Sequence, residues 1–118
     1  MAEHNEIGKK GENIAFNYLM DNGYEILHQN HRIGRAEFDF ICRNIKKELI
    51  FVEVKTRFSE EDHPEIAISK HKENMLKDGA SDFKEKNNFC EESFFEIIAI
   101  NLLKNEKYKI FHIKDALY

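Results

Sequence analysis

The chain has 118 residues, 42% of them hydrophobic and 34% charged, with a formal net charge of −4. That length and apolar content fit one domain, residues 1–118, built round one modest core. No run of about 18 apolar residues occurs, which excludes a membrane-spanning helix, and the net acidity argues against a protein that simply coats nucleic acid.

Residues 5–22 predict a helix. Ile7, Gly11, Ile14, Ala15, Tyr18 and Leu19 follow the three-and-four spacing of a buried face, and Asn22-Gly23 stops it. A short strand follows over 24–29. Residues 36–43, AEFDFICR, alternate polar and apolar and predict a second strand. Residues 44–48 turn the chain, and 49–56, LIFVEVKT, return antiparallel. The polar stretch 59–65, which holds the single proline Pro64, is the one long loop. A helix over 69–86 has Ser69 as its cap and Leu76, Ala80 and Phe83 turned inward. The nearly continuous apolar run 93–103 predicts a strand covered on both faces, and 107–114 a final strand. The order αβββαββ implies an α/β fold. The helical crossover between strands three and four makes that pair parallel, so the sheet is mixed and flanked by helices.

The third strand carries an oddity. Within IFVEVKT, Glu53 and Lys55 interrupt an otherwise apolar run and, at period two, point to one face. On the second strand the same rule places Glu37 and Asp39 on a shared face, and the hairpin brings Asp39 towards Glu53. Clustered carboxylates repel each other and lose hydration when partly buried. A divalent cation relieves both costs, and hard oxygen ligands select Mg²⁺ or Mn²⁺. Lys55 is then placed to orient an attacking water or to stabilise charge developing on phosphorus. Glu12 falls inside the apolar arc of helix one, between Phe16 and Leu19, where a glutamate needs a partner. Against this stands the reading of Glu53 and Lys55 as an exposed, weak ion pair.

Other residues carry weaker signals. Arg57, Lys70 and Lys72 follow the strand and are candidates to contact phosphates; Lys9, Lys10, Arg32, Arg35, Arg43, Lys46 and Lys47 can form a basic rim. Residues 1–57 hold nine basic and nine acidic side chains, and 58–118 hold nine and thirteen. A cation held by the carboxylates of the first half would leave that half effectively basic. The histidines show no zinc spacing, and no glycine-rich phosphate loop occurs. His28 and His31 read as structural or solvent-facing, and Phe94 and Phe95 as core. Cys42 and Cys90 are far apart and read as reduced, partly buried thiols, which implies a reducing, cytoplasmic setting. The polar start MAEHNEIGKKGEN shows no secretory signal.

Asp39 followed by Glu53-Val54-Lys55, behind a helix with an acidic residue, resembles the D…E-x-K signature of the PD-(D/E)xK nuclease superfamily, which includes Holliday-junction resolvases. The stretches 8–32, 36–41, 51–57, 67–76 and 94–100 are most similar to its YraN-like, endonuclease-like bacterial branch of uncharacterised function. Ala36, where that branch usually has Gly, and Glu96, where it favours Asp, depart from the pattern outside the D…E-x-K set. The resemblance implies a restriction-endonuclease-like αβββαββ fold and metal-dependent hydrolysis of phosphodiester bonds in DNA, branched or damaged DNA included. It implies Asp39 and Glu53 as metal ligands with the Val54 carbonyl as a third, Lys55 acting on the water, and Glu12 as an added or outer ligand. Glu37, Arg57, Lys70 and Lys72 are placed on the substrate side, and a homodimer would span a junction substrate. The alternative is a non-catalytic module that keeps the fold and binds nucleic acid or protein.

Overall fold

The computed structural model describes residues 2–64 and 66–117; Glu65, in the loop expected over 59–65, lies outside the described residues. The elements are α1 (Ala2–Asp21), β1 (Glu25–Ile33), β2 (Ala36–Arg43), β3 (Leu49–Phe58), α2 (Lys70–Lys86), β4 (Ser93–Leu102) and β5 (Tyr108–Ile113). The five strands form one sheet in the order β1-β2-β3-β4-β5. Only β3 and β4 run parallel, with Val52 opposite Glu96 and Glu53 opposite Ile97; the other neighbours are antiparallel. This is the expected mixed sheet: α2 supplies the crossover that a parallel pair requires.

Each face of the sheet is covered by one helix. Ala15 and Leu19 of α1 pack with Phe40, Ile50, Val52, Ile98 and Ile100. Leu76, Ala80 and Phe83 of α2 pack with Phe38, Ile41, Leu49, Phe51 and Phe95 on the other face. The Phe83 ring meets Phe51 edge-on at 5.8 Å, an arrangement aromatic pairs prefer. Ser69 caps α2 by accepting the Lys72 N–H at 3.1 Å, which satisfies one of the free donors of its first turn. Gly23 ends α1 at φ 82°, a conformation that favours glycine.

Gly11 lets α1 approach the sheet closely at Thr56. A Cβ there would lie 1.7 Å from Thr56 Oγ1 and 2.7 Å from Thr56 Cβ. Gly11→Ala is therefore expected to destabilise the fold by about 1–3 kcal/mol through overpacking, although alanine is the better helix former by about 1 kcal/mol. Urea denaturation checks this. Thr56→Ala in the same chain should restore only part of the loss, because Thr56 Cβ stays in the way.

Two sequence expectations need correction. β1 runs on to Ile33 rather than ending at 29. Its second half is too polar to announce a strand, and it is held by pairing with β2 across the turn at Gly34 (φ 58°), from Gln29 opposite Phe40 to Ile33 opposite Ala36. Of the two thiols, Cys42 is fully buried but Cys90 is exposed; both are free. Burial pushes the Cys42 thiol up to about 12, so it stays protonated and inert. No helix of the described residues is long and apolar enough to cross a membrane.

Candidate active site

The site forms where β2 and β3 part. Their paired register runs from Arg43 opposite Leu49 to Phe40 opposite Val52. One residue further on, the Asp39 carboxylate takes over from the backbone and accepts the Val54 N–H at 2.7 Å. The irregularity is visible in β2 itself. Phe38 packs towards α2, whereas Phe40 packs towards α1, so the alternation expected of a strand breaks at Asp39. The β1 residue between the neighbouring pairs, Asn30, has φ 52°.

On β3 the cover thins at the same level. Leu49–Val52 are buried, and from Glu53 onwards the strand is only partly covered. Leu49 and Phe51 face α2, so period two turns Glu53, Lys55 and Arg57 to that face as well. The Glu53 side chain is 18% exposed. Its Oε1 lies 3.7 Å from Lys55 Nζ and accepts a hydrogen bond from Lys72 in the first turn of α2. Glu53 Oε2 is buried without a hydrogen-bond partner among the described residues, and so is Glu12 Oε1 of α1.

Electrostatics tie these groups together. Burial raises the pKa of Asp39 from 3.8 to about 6 against the lowering effect of the Val54 N–H, and the charges of Glu12, then Glu53, then Glu37 raise it further. Burial, the largest single influence, would lower the Lys72 ammonium, but the hydrogen bond and charge of Glu53 and the further contributions of Lys55 and Asp39 together outweigh it and hold the pKa above the usual lysine value. Among the described residues no three His, Cys, Asp or Glu side chains converge as a ready metal centre; Glu53 Oε1 is instead taken by Lys72. The donors at the fork nonetheless suit a hard cation. They include two buried carboxylate oxygens without hydrogen-bond partners, from α1 and β3, acting on one raised aspartate.

The remaining candidates are more scattered. Glu37 is exposed and pairs with Arg32 at 3.1 Å, outside this group. Arg57 donates from Nε to Asn101 at 3.3 Å and lies 3.6 Å from Glu61. Lys70 is largely exposed and bonds Glu73 at 2.8 Å. Of the basic rim, Lys10 pairs with Glu106 and Arg43 with Glu91. His28 and His31 both set their rings edge-on against Phe83, 5.6 Å away, as a structural role requires.

Sequence reasoning missed a second polar cluster, on the α1 face. Glu96 is 4% exposed. Its Oε1 accepts from the Tyr24 hydroxyl at 2.7 Å and lies 2.7 Å from His112 Nε2, while His112 Nδ1 is 3.0 Å from the Tyr18 hydroxyl. Burial would raise the Glu96 pKa, but the bonds from His112 and Tyr24 win and lower it. A lone glutamate inside SFFEIIAINLL was the available signal. The stabilisation from Glu96 is complete above about pH 4.5 and is lost as pH falls through its lowered value. Tyr24→Phe should therefore cost about 1.5–3 kcal/mol at neutral pH, the worth of a hydrogen bond to a charged group. The cost should shrink in acid, which urea titrations at the two pH values will show.

A mixed five-stranded sheet between two helices, in the order αβββαββ, is the α/β architecture expected from the sequence, and it sets a carboxylate on β2 beside a Glu-x-Lys on β3 at the fork. The chain belongs to the uncharacterised protein family UPF0102, whose model matches residues 11–100, in agreement with the YraN-like resemblance. It is 41% identical to a UPF0102 protein of Christiangramia forsetii over 120 residues, covering 100% of this chain and 98% of that one. It is 39% identical to another from Bacteroides thetaiotaomicron over 122 residues, covering 100% and 97%. Among solved structures, a repair endonuclease from Pyrococcus abyssi is similar at a TM-score of 0.49 and 16% identity, covering 80% of this chain and 37% of that one.

Proposed function

We propose that the chain is a Mg²⁺- or Mn²⁺-dependent endonuclease that hydrolyses phosphodiester bonds in DNA, with branched or damaged DNA as the substrate form. The observation that carries this reading is the pair of buried, partnerless carboxylate oxygens of Glu12 and Glu53 beside Asp39. A buried acceptor left without a donor is costly, and a divalent cation held by Asp39 and Glu53 would supply the missing partner of the Glu53 oxygen.

In this reading Asp39 and Glu53 hold the cation, the Val54 carbonyl is the third donor, and Glu12 supports them from α1. The chemistry that a bound divalent cation supplies is Lewis acidity towards a phosphoryl oxygen. The hydrogen bond from Val54 fixes Asp39, so one residue of the Glu-x-Lys segment positions the ligand on the neighbouring strand. Lys55 orients the attacking water and stabilises the charge that develops on phosphorus. Arg57, Lys70 and Lys72 meet flanking phosphates, with Glu37 at the margin of the substrate surface. A homodimer extends that surface over a junction, and the two free cysteines suit a reducing, cytoplasmic setting.

The test is cleavage of linear, flapped and four-way DNA in Mn²⁺ and in EDTA. Metal-dependent cleavage of at least one form is expected. DNA binding without cleavage in any condition would instead favour the non-catalytic module.

A further inference from the structure

Lys72 is the only group that hydrogen-bonds the Glu53 carboxylate among the described residues, and it comes from α2 rather than from the Glu-x-Lys strand. It is well placed to do so. The Lys72 N–H is fixed to the Ser69 cap at 3.1 Å, and α2 is anchored through Leu76, Ala80 and Phe83. The backbone that carries Lys72 is thus rigid, while its four-carbon side chain stays free to move. Lys55 stands at 3.7 Å from the same oxygen without a hydrogen bond. Two ammonium groups therefore face one carboxylate, and only one of them holds it.

We propose that Lys72 is a displaceable counter-ion of the site. Its ammonium neutralises Glu53 until a divalent cation takes that carboxylate, and the released ammonium then turns to the anionic phosphodiester. This rests on the metal-binding reading above and adds its regulation: loading requires the cation to outcompete a lysine built into the fold. A cation on the free Oε2 and the Lys72 ammonium on Oε1 would face each other across one carboxylate and repel. The exchange keeps the net charge of the site low in both states.

Mn²⁺ calorimetry on wild type, Lys72→Met and Lys72→Arg tests this. Lys72→Met should bind Mn²⁺ about tenfold more tightly than wild type, the size of effect one contacting charge has on a carboxylate's affinity for a cation. Lys72→Arg, which keeps the charge, should stay near wild type. Acetylation of Lys72 in wild type, read by mass spectrometry, gives a second measurement that needs no variant to fold: Lys72 should be protected in EDTA and become reactive in saturating Mg²⁺. Equal Mn²⁺ affinity in wild type and Lys72→Met, or unchanged reactivity in Mg²⁺ at a concentration shown to saturate the site, overturns the counter-ion role alone. Absence of Mn²⁺ binding by all three proteins overturns the metal reading and this role together.

Discussion

Asp39→Asn is expected to make the protein more stable at neutral pH while abolishing its affinity for a divalent cation. The carboxyl of Asp39 titrates at about 6 in the folded chain against 3.8 as a free side chain, first because it is buried and then because Glu12 and Glu53 are close. As pH rises from about 4 to about 6, the unfolded chain loses this proton before the folded one does. The folded state binds more protons in that window, so this group's contribution to stability falls as pH rises. At pH 7 the full cost, about 3 kcal/mol from the size of the rise, is in place. Asparagine removes it and still offers an oxygen to the Val54 N–H. Urea denaturation of both proteins should show a gap that opens between pH 4 and pH 6 and is flat above. A wild type as stable as the variant at pH 7 would show that Asp39 carries no such cost. If Asp39 holds the cation as proposed, the same substitution removes an anionic ligand, and calorimetry with Mn²⁺ should show no binding. A stability cost held in the folded state for the sake of a ligand is what a functional site is expected to carry.

Lys55→Ala should do the opposite: leave fold and metal affinity in place and remove turnover. Lys55 sits on the partly covered end of β3, 41% exposed, 3.7 Å from Glu53 Oε1 and without a hydrogen bond to it. Its loss takes one cation away from the carboxylates, which does not weaken their hold on a metal. The attacking water and the charge growing on phosphorus lose a positioned donor, a loss of order 10²–10³ in rate. If Glu53 and Lys55 were only a surface pair, the substitution would change stability by less than about 1 kcal/mol and nothing else. Single-turnover cleavage by wild type and Lys55→Ala separates the two; equal rates would remove Lys55 from the chemistry.

What the sequence made legible was whatever a local period could carry. Glu53 and Lys55 stand out because period two on a buried strand makes a charged pair conspicuous, and Glu12 because period 3.6 puts it in an apolar arc. The crossover helix between β3 and β4 fixed the parallel pair and hence the mixed sheet. The break in alternation at Asp39 was not legible, because it arises from how β1, β2 and β3 part, not from any residue type. Lys72 holds Glu53 across 19 positions of chain and a loop, and Tyr24 holds Glu96 across 72. Contacts of that kind are made by tertiary packing and leave no mark on local pattern. Glu37 looked equivalent to Asp39 by spacing, yet it ends in solvent beside Arg32.

The claim that Asp39, Glu53 and the Val54 carbonyl form a cation site is tested most directly by anomalous diffraction at the manganese edge from crystals soaked in Mn²⁺. The expected result is one strong peak at the fork of β2 and β3, touching Asp39 and Glu53, with Lys72 turned away from Glu53. A peak elsewhere with none at the fork, or Lys72 still bonded to Glu53 under saturating Mn²⁺ with no peak beside them, would contradict it.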